Sequence, residues 1–278
     1  MMSGSDREIP FRRTSLLVLL VGISLVASSI QPVAVSARES CPAIKIFGVH
    51  GANEAGPGVA GDSFFGVGET VWNIWTNFSL TVDVPGGIAI EAVDFPRTPV
   101  DLPAAGLRSS ATFFQQIAQL EPGAEQAAAA LAEQVSDTYI ACGDRTRYLF
   151  VGYSQGAWAI DKALRKNLAP DPLNSSVEAL VAGVLLLGDP AWPANEPYPD
   201  KKGVASTLLN GAVSSPYAPK RFANRLTSYC VSFAGDVYDP ICWYNGDFKR
   251  LQKDLHAHFT YKDHPEQFVS QLAKFVKR

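Results

Sequence analysis

Short apolar runs alternate along this chain with stretches of helical periodicity. Five runs rich in β-branched and other apolar residues predict β-strands at residues 44–51, 88–96, 148–154, 180–190 and 228–236. Most positions in these runs are apolar, without a polar residue at every second position, which is typical of strands buried on both faces. The pattern therefore favours a mainly parallel sheet.

Segments of helical character lie between and after the predicted strands. The clearest cover residues 125–141, 156–168 and 265–278. In the last segment Phe268, Leu272 and Phe275 fall on one face, and Pro265 suits the first helical position. Alternating strands and helices predict an α/β fold with a five-stranded sheet flanked by helices. Residues 191–219 are rich in Pro, Asn, Ser and Tyr and are interpreted as a surface excursion within a single domain.

The N-terminal segment is predicted to be a secretory signal peptide. Arg12 and Arg13 precede an apolar run, and Val35 and Ala37 are the small residues expected before a signal-peptidase cut. The predicted division is a signal peptide at 1–37 and one domain at 38–278. The arginine pair leaves both the general secretory route and the twin-arginine route open.

The composition is that of an ordinary globular protein. Of the 278 residues 47% are hydrophobic and 18% are charged, and the formal net charge is −3. A slightly acidic net charge gives no reason to expect nucleic acid or an anionic membrane surface as a partner, so no nucleic-acid partner is expected.

Export changes the interpretation of the four cysteines. In an oxidising compartment an even number of cysteines is expected to pair. Cys230 and Cys242 are close in sequence and flank a turn-like segment, which pairs them and leaves Cys41 with Cys142. A zinc site is disfavoured because the paired short cysteine spacings are missing.

The sequence GYSQG at residues 152–156 places Ser154 between an apolar strand and a helical segment. This strand, turn and helix order is the context of a nucleophile elbow, in which flanking glycines avoid collisions and the serine hydroxyl stands clear of the sheet. The turn also directs the next backbone N–H at a developing oxyanion. Ser154 is therefore predicted to be a nucleophile.

A serine nucleophile needs a histidine base and an acid that orients it. When the order along the chain is serine, acid, histidine, His50 comes too early, and His256, His258 and His264 remain. The acid candidates are Asp236 and Asp239, between the paired cysteines, and Asp189, which suits a turn cap beside Pro190 better.

Together these features resemble the cutinase family of secreted serine esterases. They are Cys41 before the first strand, Cys142 shortly before GYSQGA, the acid loop closed by Cys230 and Cys242, and HFTY at 258–261. The resemblance spans most of the chain after residue 40. It implies a compact α/β-hydrolase fold without a lid, and it supports the two cysteine pairings.

The resemblance also implies individual site residues. The family's acid lies three residues before the second loop cysteine, which favours Asp239, although the "GD" at 235–236 resembles the motif and keeps Asp236 open. The HFTY match implies His258 as the base. The oxyanion donors would be the N–H groups of Gln155 and Ala52, and Ala52 stands where the family usually has Ser or Thr.

The expected function is hydrolysis of fatty-acyl esters, polyesters or lipids by a secreted monomer. The triad would be Ser154, His258 and Asp239, and the chemistry calls for no metal or cofactor. Two alternatives remain open. One is a cell-envelope enzyme acting on mycolyl or phospholipid esters, and the other is a catalytically weak wall or binding protein of the same fold. The aromatic segment 71–78 is interpreted either as an acyl groove or as core packing.

Overall fold

The computed structural model describes residues 41–54, 63–100, 109–191, 220–230, 239–242 and 247–278. The predicted signal peptide at 1–37, residues 192–219 of the predicted excursion, and Asp236 lie outside the described residues.

A five-stranded parallel sheet forms the centre of the molecule. Its strands are β1 (Ile44–Val49), β2 (Ile88–Ala92), β3 (Arg147–Tyr153), β4 (Val181–Leu187) and β5 (Leu226–Tyr229). Their spatial order is β2-β1-β3-β4-β5, and each neighbouring pair is parallel. Because the strand order reverses between β1 and β3, a crevice is expected at the carboxyl ends of these two strands.

The predicted sheet is confirmed, but the fifth strand lies earlier than predicted. The prediction began at residue 228, whereas β5 runs over Leu226–Tyr229. Leu226 pairs with Val184 and Tyr229 pairs with Leu187, so the register on β4 fixes where the strand lies. Thr227 and Ser228 interrupt the apolar run although both are buried. For this reason hydrophobicity alone misplaces the strand, and residues 231–236 of the predicted run lie outside the described residues.

Seven α-helices are present in the described part of the chain. They are α1 (Glu69–Thr81), α2 (Ser110–Ala118), α3 (Glu121–Cys142), α4 (Gln155–Arg165), α5 (Asn174–Leu180), α6 (Phe248–Asp254) and α7 (Glu266–Val276). Pro265 lies one position before α7, at its N-cap, and not at the first helical position as predicted. In the described ranges no helix is both long enough and apolar enough to cross a bilayer.

The helices cover both faces of the sheet with separate cores. Alternate strand residues point to opposite faces, so Phe47 and Phe150 belong to one core and Ile46 and Val151 to the other. The first core is completed by α2, α3 and α4, and the second by α1 and α7.

The aromatic segment 71–78 lies on α1. Val71, Ile74 and Phe78 are buried in the core that α1 shares with α7, as expected for one face of a helix. Trp72 is half-buried, and its ring is tilted by 34° against the exposed ring of Phe65, with 4.8 Å between the centroids. Core packing, one of the two interpretations of this segment, therefore accounts for its buried residues.

Candidate active site

Ser154 occupies a sharp turn between β3 and α4. Its backbone has φ 55° and ψ −118°, a conformation that most side chains avoid. The Ser154 N–H donates to the carbonyl oxygen of Leu187 at 2.7 Å, which ties the turn to the end of β4. A Cβ on Gly156 would lie 2.2 Å from the carbonyl oxygen of Val49, so only glycine lets α4 start this close to β1. These are the features of a nucleophile elbow.

His258 lies within hydrogen-bond distance of Ser154. It comes from the 3₁₀ turn Leu255–Phe259, and its Nε2 lies 2.9 Å from Ser154 Oγ. Its Nδ1 lies 2.8 Å from Oδ2 of Asp239. With the proton on Nδ1, the ring donates to the carboxylate and accepts from the serine hydroxyl.

Asp239 is fully buried and is held by several donors. Its Oδ1 accepts from the N–H of Ile241 at 2.9 Å, and its Oδ2 lies 3.0 Å from the hydroxyl of Tyr261 as well as facing His258. The Cys230–Cys242 disulfide closes the segment that carries this carboxylate. These contacts hold the carboxylate facing the imidazole of His258.

The other acid candidates lie elsewhere. Asp236 is outside the described residues. Asp189 is buried and accepts from the N–H of Ala191 at 2.9 Å, consistent with its predicted turn-capping role.

Among the described residues, Ser154 Oγ is hydrogen-bonded to His258 and to none of the other three histidines. His256 is exposed and its Nδ1 lies 2.8 Å from the carbonyl oxygen of Lys253. His264 is half-buried near Glu266, with 3.6 Å between Nδ1 and Oε1. His50 is buried in the turn after β1, where its ring stacks on Phe95.

Two structural features beside His258 were not predicted from the sequence, and the first is Tyr153. The Tyr153 ring stacks against the His258 ring at 4.9 Å, and its hydroxyl donates to the carbonyl oxygen of His258 at 2.8 Å. Burial raises the pKa of Tyr153 well above its usual range, and the nearby carboxylates of Glu54 and Asp239 raise it further. Tyr153 therefore keeps its proton and remains a donor. Tyr153 is the variable residue of GYSQG, so the motif itself gave no signal for this role.

Gly188 is the second feature that the sequence did not reveal. It has φ 61°, and a Cβ there would lie 2.7 Å from Oδ2 of Asp239 and 2.9 Å from Nδ1 of His258. The close approach of this pair to the end of β4 depends on the missing side chain. The sequence feature that could have indicated this role is a glycine directly after the apolar residues 185–187.

The predicted oxyanion residues lie shortly after the carboxyl ends of β3 and β1. Gln155 is the first residue of α4, where backbone N–H groups have no partner within the helix. Ala52 lies in the turn after β1 and packs against the core. The Gln155 side chain is buried, and its Nε2 donates to Thr98 Oγ1 and to the carbonyl oxygen of Leu120, each at 2.8 Å. These bonds hold the start of α4 against the segments that carry Thr98 and Leu120.

Both expected disulfides are present. Cys41 is joined to Cys142, and Cys230 to Cys242. The first links the residues before β1 to the end of α3, whereas the sulfurs of the second lie 3.4 and 3.6 Å from the main-chain carbonyl oxygen of Asp239. Among the described residues, no cluster of three His, Cys, Asp or Glu side chains is arranged to hold a metal ion.

The chain is similar to several known esterases. The Cutinase family model matches residues 86–278 of the chain. Acetylxylan esterase 2 of Talaromyces purpureogenus is 28% identical over 266 residues, which cover 92% of this chain and 94% of that protein. Cutinase 11 of Verticillium dahliae is 28% identical over 236 residues, which cover 81% of this chain and 66% of that protein.

Solved structures give the same fold. A cutinase-like protein from Cryptococcus sp. has a TM-score of 0.56 at 16% identity, with 85% of this chain and 94% of that chain covered. An iodinated complex of acetyl xylan esterase has a TM-score of 0.55 at 22% identity, with 86% and 98% covered. The molecule therefore has the α/β-hydrolase fold.

Proposed function

The chain belongs to the cutinase family of carboxylic ester hydrolases, and from this membership we propose that Ser154, His258 and Asp239 form its catalytic triad. The observation that carries the proposal is one continuous line of contacts. Ser154 Oγ lies 2.9 Å from His258 Nε2, and His258 Nδ1 lies 2.8 Å from Asp239 Oδ2. All three side chains are buried, so water does not compete for these bonds.

The reaction follows from the contacts. Ser154 Oγ attacks the acyl carbonyl carbon while its proton passes to His258 Nε2, and Asp239 stabilises the imidazolium that forms. The ester C–O bond then breaks, and the leaving alcohol takes the proton from His258. Water attacks the acyl-enzyme by the same route, which releases the carboxylic acid and restores the Ser154 hydroxyl.

The negative charge on the carbonyl oxygen would be stabilised by two backbone N–H groups, those of Gln155 and Ala52. Gln155 is suited to this role because it opens α4, where the N–H groups and the helix dipole favour negative charge. Ala52 has no hydroxyl to add a further hydrogen bond, so the second donor is the main chain alone.

For the substrate, we propose fatty-acyl esters, polyesters or lipids. Acetyl esters of a polysaccharide are a second candidate, since acetylxylan esterase 2 matches this chain over 92% of its length. Mycolyl or phospholipid esters of a cell envelope are alternative substrates of the same chemistry. A catalytically weak wall protein is the alternative function, which turnover of the ester series below tests.

We propose that the protein is exported and acts as a monomer. The signal-like segment at 1–37 and the two disulfides support export, because disulfides persist in oxidising compartments. Residues 38–278 would then form the single hydrolase domain.

The decisive experiment combines labelling with turnover. A fluorophosphonate probe should modify Ser154, and Ser154→Ala should abolish both labelling and hydrolysis while the thermal midpoint stays unchanged. Rates on p-nitrophenyl esters from acetate to palmitate would then identify the acyl class. A steep preference for acetate favours the acetyl-ester candidate, and a maximum at longer chains favours fatty-acyl or lipid esters. Labelling at another residue, or full activity in Ser154→Ala, would contradict the triad, and no turnover of any ester would favour the wall protein.

A further inference from the structure

The peptide group between Gly51 and Ala52 is held by its carbonyl. The Gly51 carbonyl oxygen lies 2.9 Å from Nδ1 of His50 and accepts from the N–H of Glu54 at 3.3 Å. A carbonyl oxygen can only accept, so His50 Nδ1 carries the proton in this contact. The Gly51–Ala52 bond is not among the cis peptides, and in a trans peptide the N–H points opposite to the C=O. Fixing the carbonyl of Gly51 therefore fixes the direction of the Ala52 N–H.

Glu54 holds the same turn from its other side. Its Oε2 accepts from the N–H of Gly51 at 2.8 Å. Its Oε1 accepts from the N–H and the hydroxyl of Thr70, at 3.0 and 2.9 Å. Because Thr70 lies in the first turn of α1, Glu54 fastens the turn after β1 to a helix that is itself packed on the core.

His50 is itself held in place. It is fully buried, and its ring is parallel to that of Phe95 with 4.0 Å between centroids. With the proton on Nδ1, its Nε2 makes no hydrogen bond to the carbonyl oxygen of Phe95, which lies 3.4 Å away. The main chain of the turn also borders the elbow, since a Cβ on Gly156 would lie 2.6 Å from the carbonyl oxygen of His50.

We propose that His50 and Glu54 are positioning residues for the oxyanion donor at Ala52. The inference rests on the proposed function, because it requires the Ala52 N–H to face the developing oxyanion. In this proposal His50 and Glu54, which lie outside the triad, together orient and polarise the peptide group between Gly51 and Ala52. With alanine at position 52, no side-chain hydroxyl can compensate for a misdirected N–H.

The first test variant removes the Nδ1–H donor of His50 and keeps an aromatic ring at that position. His50→Phe retains an aromatic ring for stacking on Phe95 but lacks the Nδ1–H, whereas His50→Asn can place an amide N–H near the Nδ1 position. We expect His50→Phe to lower kcat on p-nitrophenyl butyrate about 10- to 100-fold with little change in KM, somewhat less than full loss of an oxyanion donor. His50→Asn should recover most of the loss, and His256→Phe, on the exposed surface, is the matched control that should lose nothing.

A pair of inhibitors separates oxyanion stabilisation from general damage. A trifluoromethyl ketone forms a hemiketal oxyanion on Ser154, and the corresponding secondary alcohol forms none. In His50→Phe the affinity for the ketone should fall by the same factor as kcat, and the affinity for the alcohol should not change. Equal weakening of both inhibitors, equal losses in His50→Phe and His50→Asn, or wild-type kcat in His50→Phe would overturn the proposal.

If His50→Phe does not fold, Glu54→Gln provides the test of the positioning role. Glutamine keeps the shape but has one acceptor oxygen, which cannot serve both Gly51 and Thr70. The same selective loss of ketone affinity is expected, and unchanged ketone affinity in a folded Glu54→Gln overturns the inference. Ser154→Ala keeps the two proposals distinct. Activity in Ser154→Ala would reject the triad, whereas inactive Ser154→Ala beside fully active His50 and Glu54 variants would reject only the positioning role.

Discussion

His258 and Asp239 occupy space that is free because Gly188 has no Cβ. A Cβ there would lie 2.7 Å from Asp239 Oδ2, and the backbone has φ 61°. We expect Gly188→Ala to displace the pair and lower kcat by about two orders of magnitude or more, since misplaced triad groups lose most of their effect. The comparison is made by steady-state kinetics on a short-chain ester.

Gly143 supplies a matched control for this substitution. It has the same φ of 61°, but nothing lies within 4 Å of a Cβ placed there. Both alanine variants should lose roughly 1–3 kcal/mol of stability from the positive φ. Gly188→Ala should lose more because of the close contact with Asp239, and only Gly188→Ala should lose activity. Equal kcat values in the two variants would mean that the pair tolerates the methyl group.

Individual hydrogen bonds also support Asp239 as the proposed acid. Asp239 accepts from Ile241 and faces both His258 and Tyr261, and an asparagine could not accept at both positions. Asp239→Asn should lower kcat by roughly 10⁴-fold, as when another triad carboxylate becomes an amide, and Asp236→Asn should lose far less. If Asp236→Asn were the damaging change, the acid would have to be reassigned to Asp236.

At the scale of elements, apolar runs revealed the strands because both faces of the sheet are covered. β4 is buried at every position, so its composition alone identified it. β5 was misplaced because Thr227 and Ser228 are buried polar residues whose position depends on pairing with β4. Periodicity predicted α3, α4 and α7, whereas α1, α2, α5 and α6 were not predicted. Helix α3 begins at Glu121, four residues before its predicted start, and ends at Cys142, one residue past its predicted end.

The two disulfides join different elements and should therefore have different effects. Cys41–Cys142 spans 101 residues and Cys230–Cys242 spans 12. In the chain-entropy model their removal would cost about 5 and about 3 kcal/mol respectively. Replacing Cys41 and Cys142 by serine should thus lower the denaturation midpoint more, whereas replacing Cys230 and Cys242 should lower kcat more because that bridge borders Asp239. Urea titrations and ester kinetics on both double variants test this crossed expectation, and a larger kcat loss in the Cys41 and Cys142 variant would reject it.

At the scale of the molecule, the order of the site along the chain was predictable and its supports were not. The GYSQG motif and the cysteine spacing lie in local sequence, and they indicated Ser154 and the acid loop. The contacts of Glu54 with Thr70, and of Tyr153 with the main chain at His258, join residues whose approach depends on the complete fold. No local pattern encodes such pairs, so they become visible only when the sheet and the surrounding turns are assembled.

The whole molecule should lose stability in alkali through its buried tyrosines. Burial raises the pKa of Tyr148 to about 12, and it raises that of Tyr153 well above the usual range. In the unfolded chain these phenols ionise near their ordinary pKa of ~10, so above that pH the unfolded state binds fewer protons than the folded state. Stability contributed by these groups is therefore fully present below pH ~10 and is lost as the pH rises through the folded-state pKa.

Tyr148→Phe tests this expectation without touching the crevice. The Tyr148 hydroxyl is buried with no hydrogen-bond partner in the described structure, so its removal should leave stability at pH 8 unchanged or slightly increased. Between pH 8 and pH 11 the variant should lose less unfolding free energy than the wild type, because one buried phenol no longer resists ionisation. Urea titrations at both pH values measure the two losses. If they are equal, ionisation of Tyr148 does not contribute to alkaline unfolding, and Tyr153 or another group must account for it.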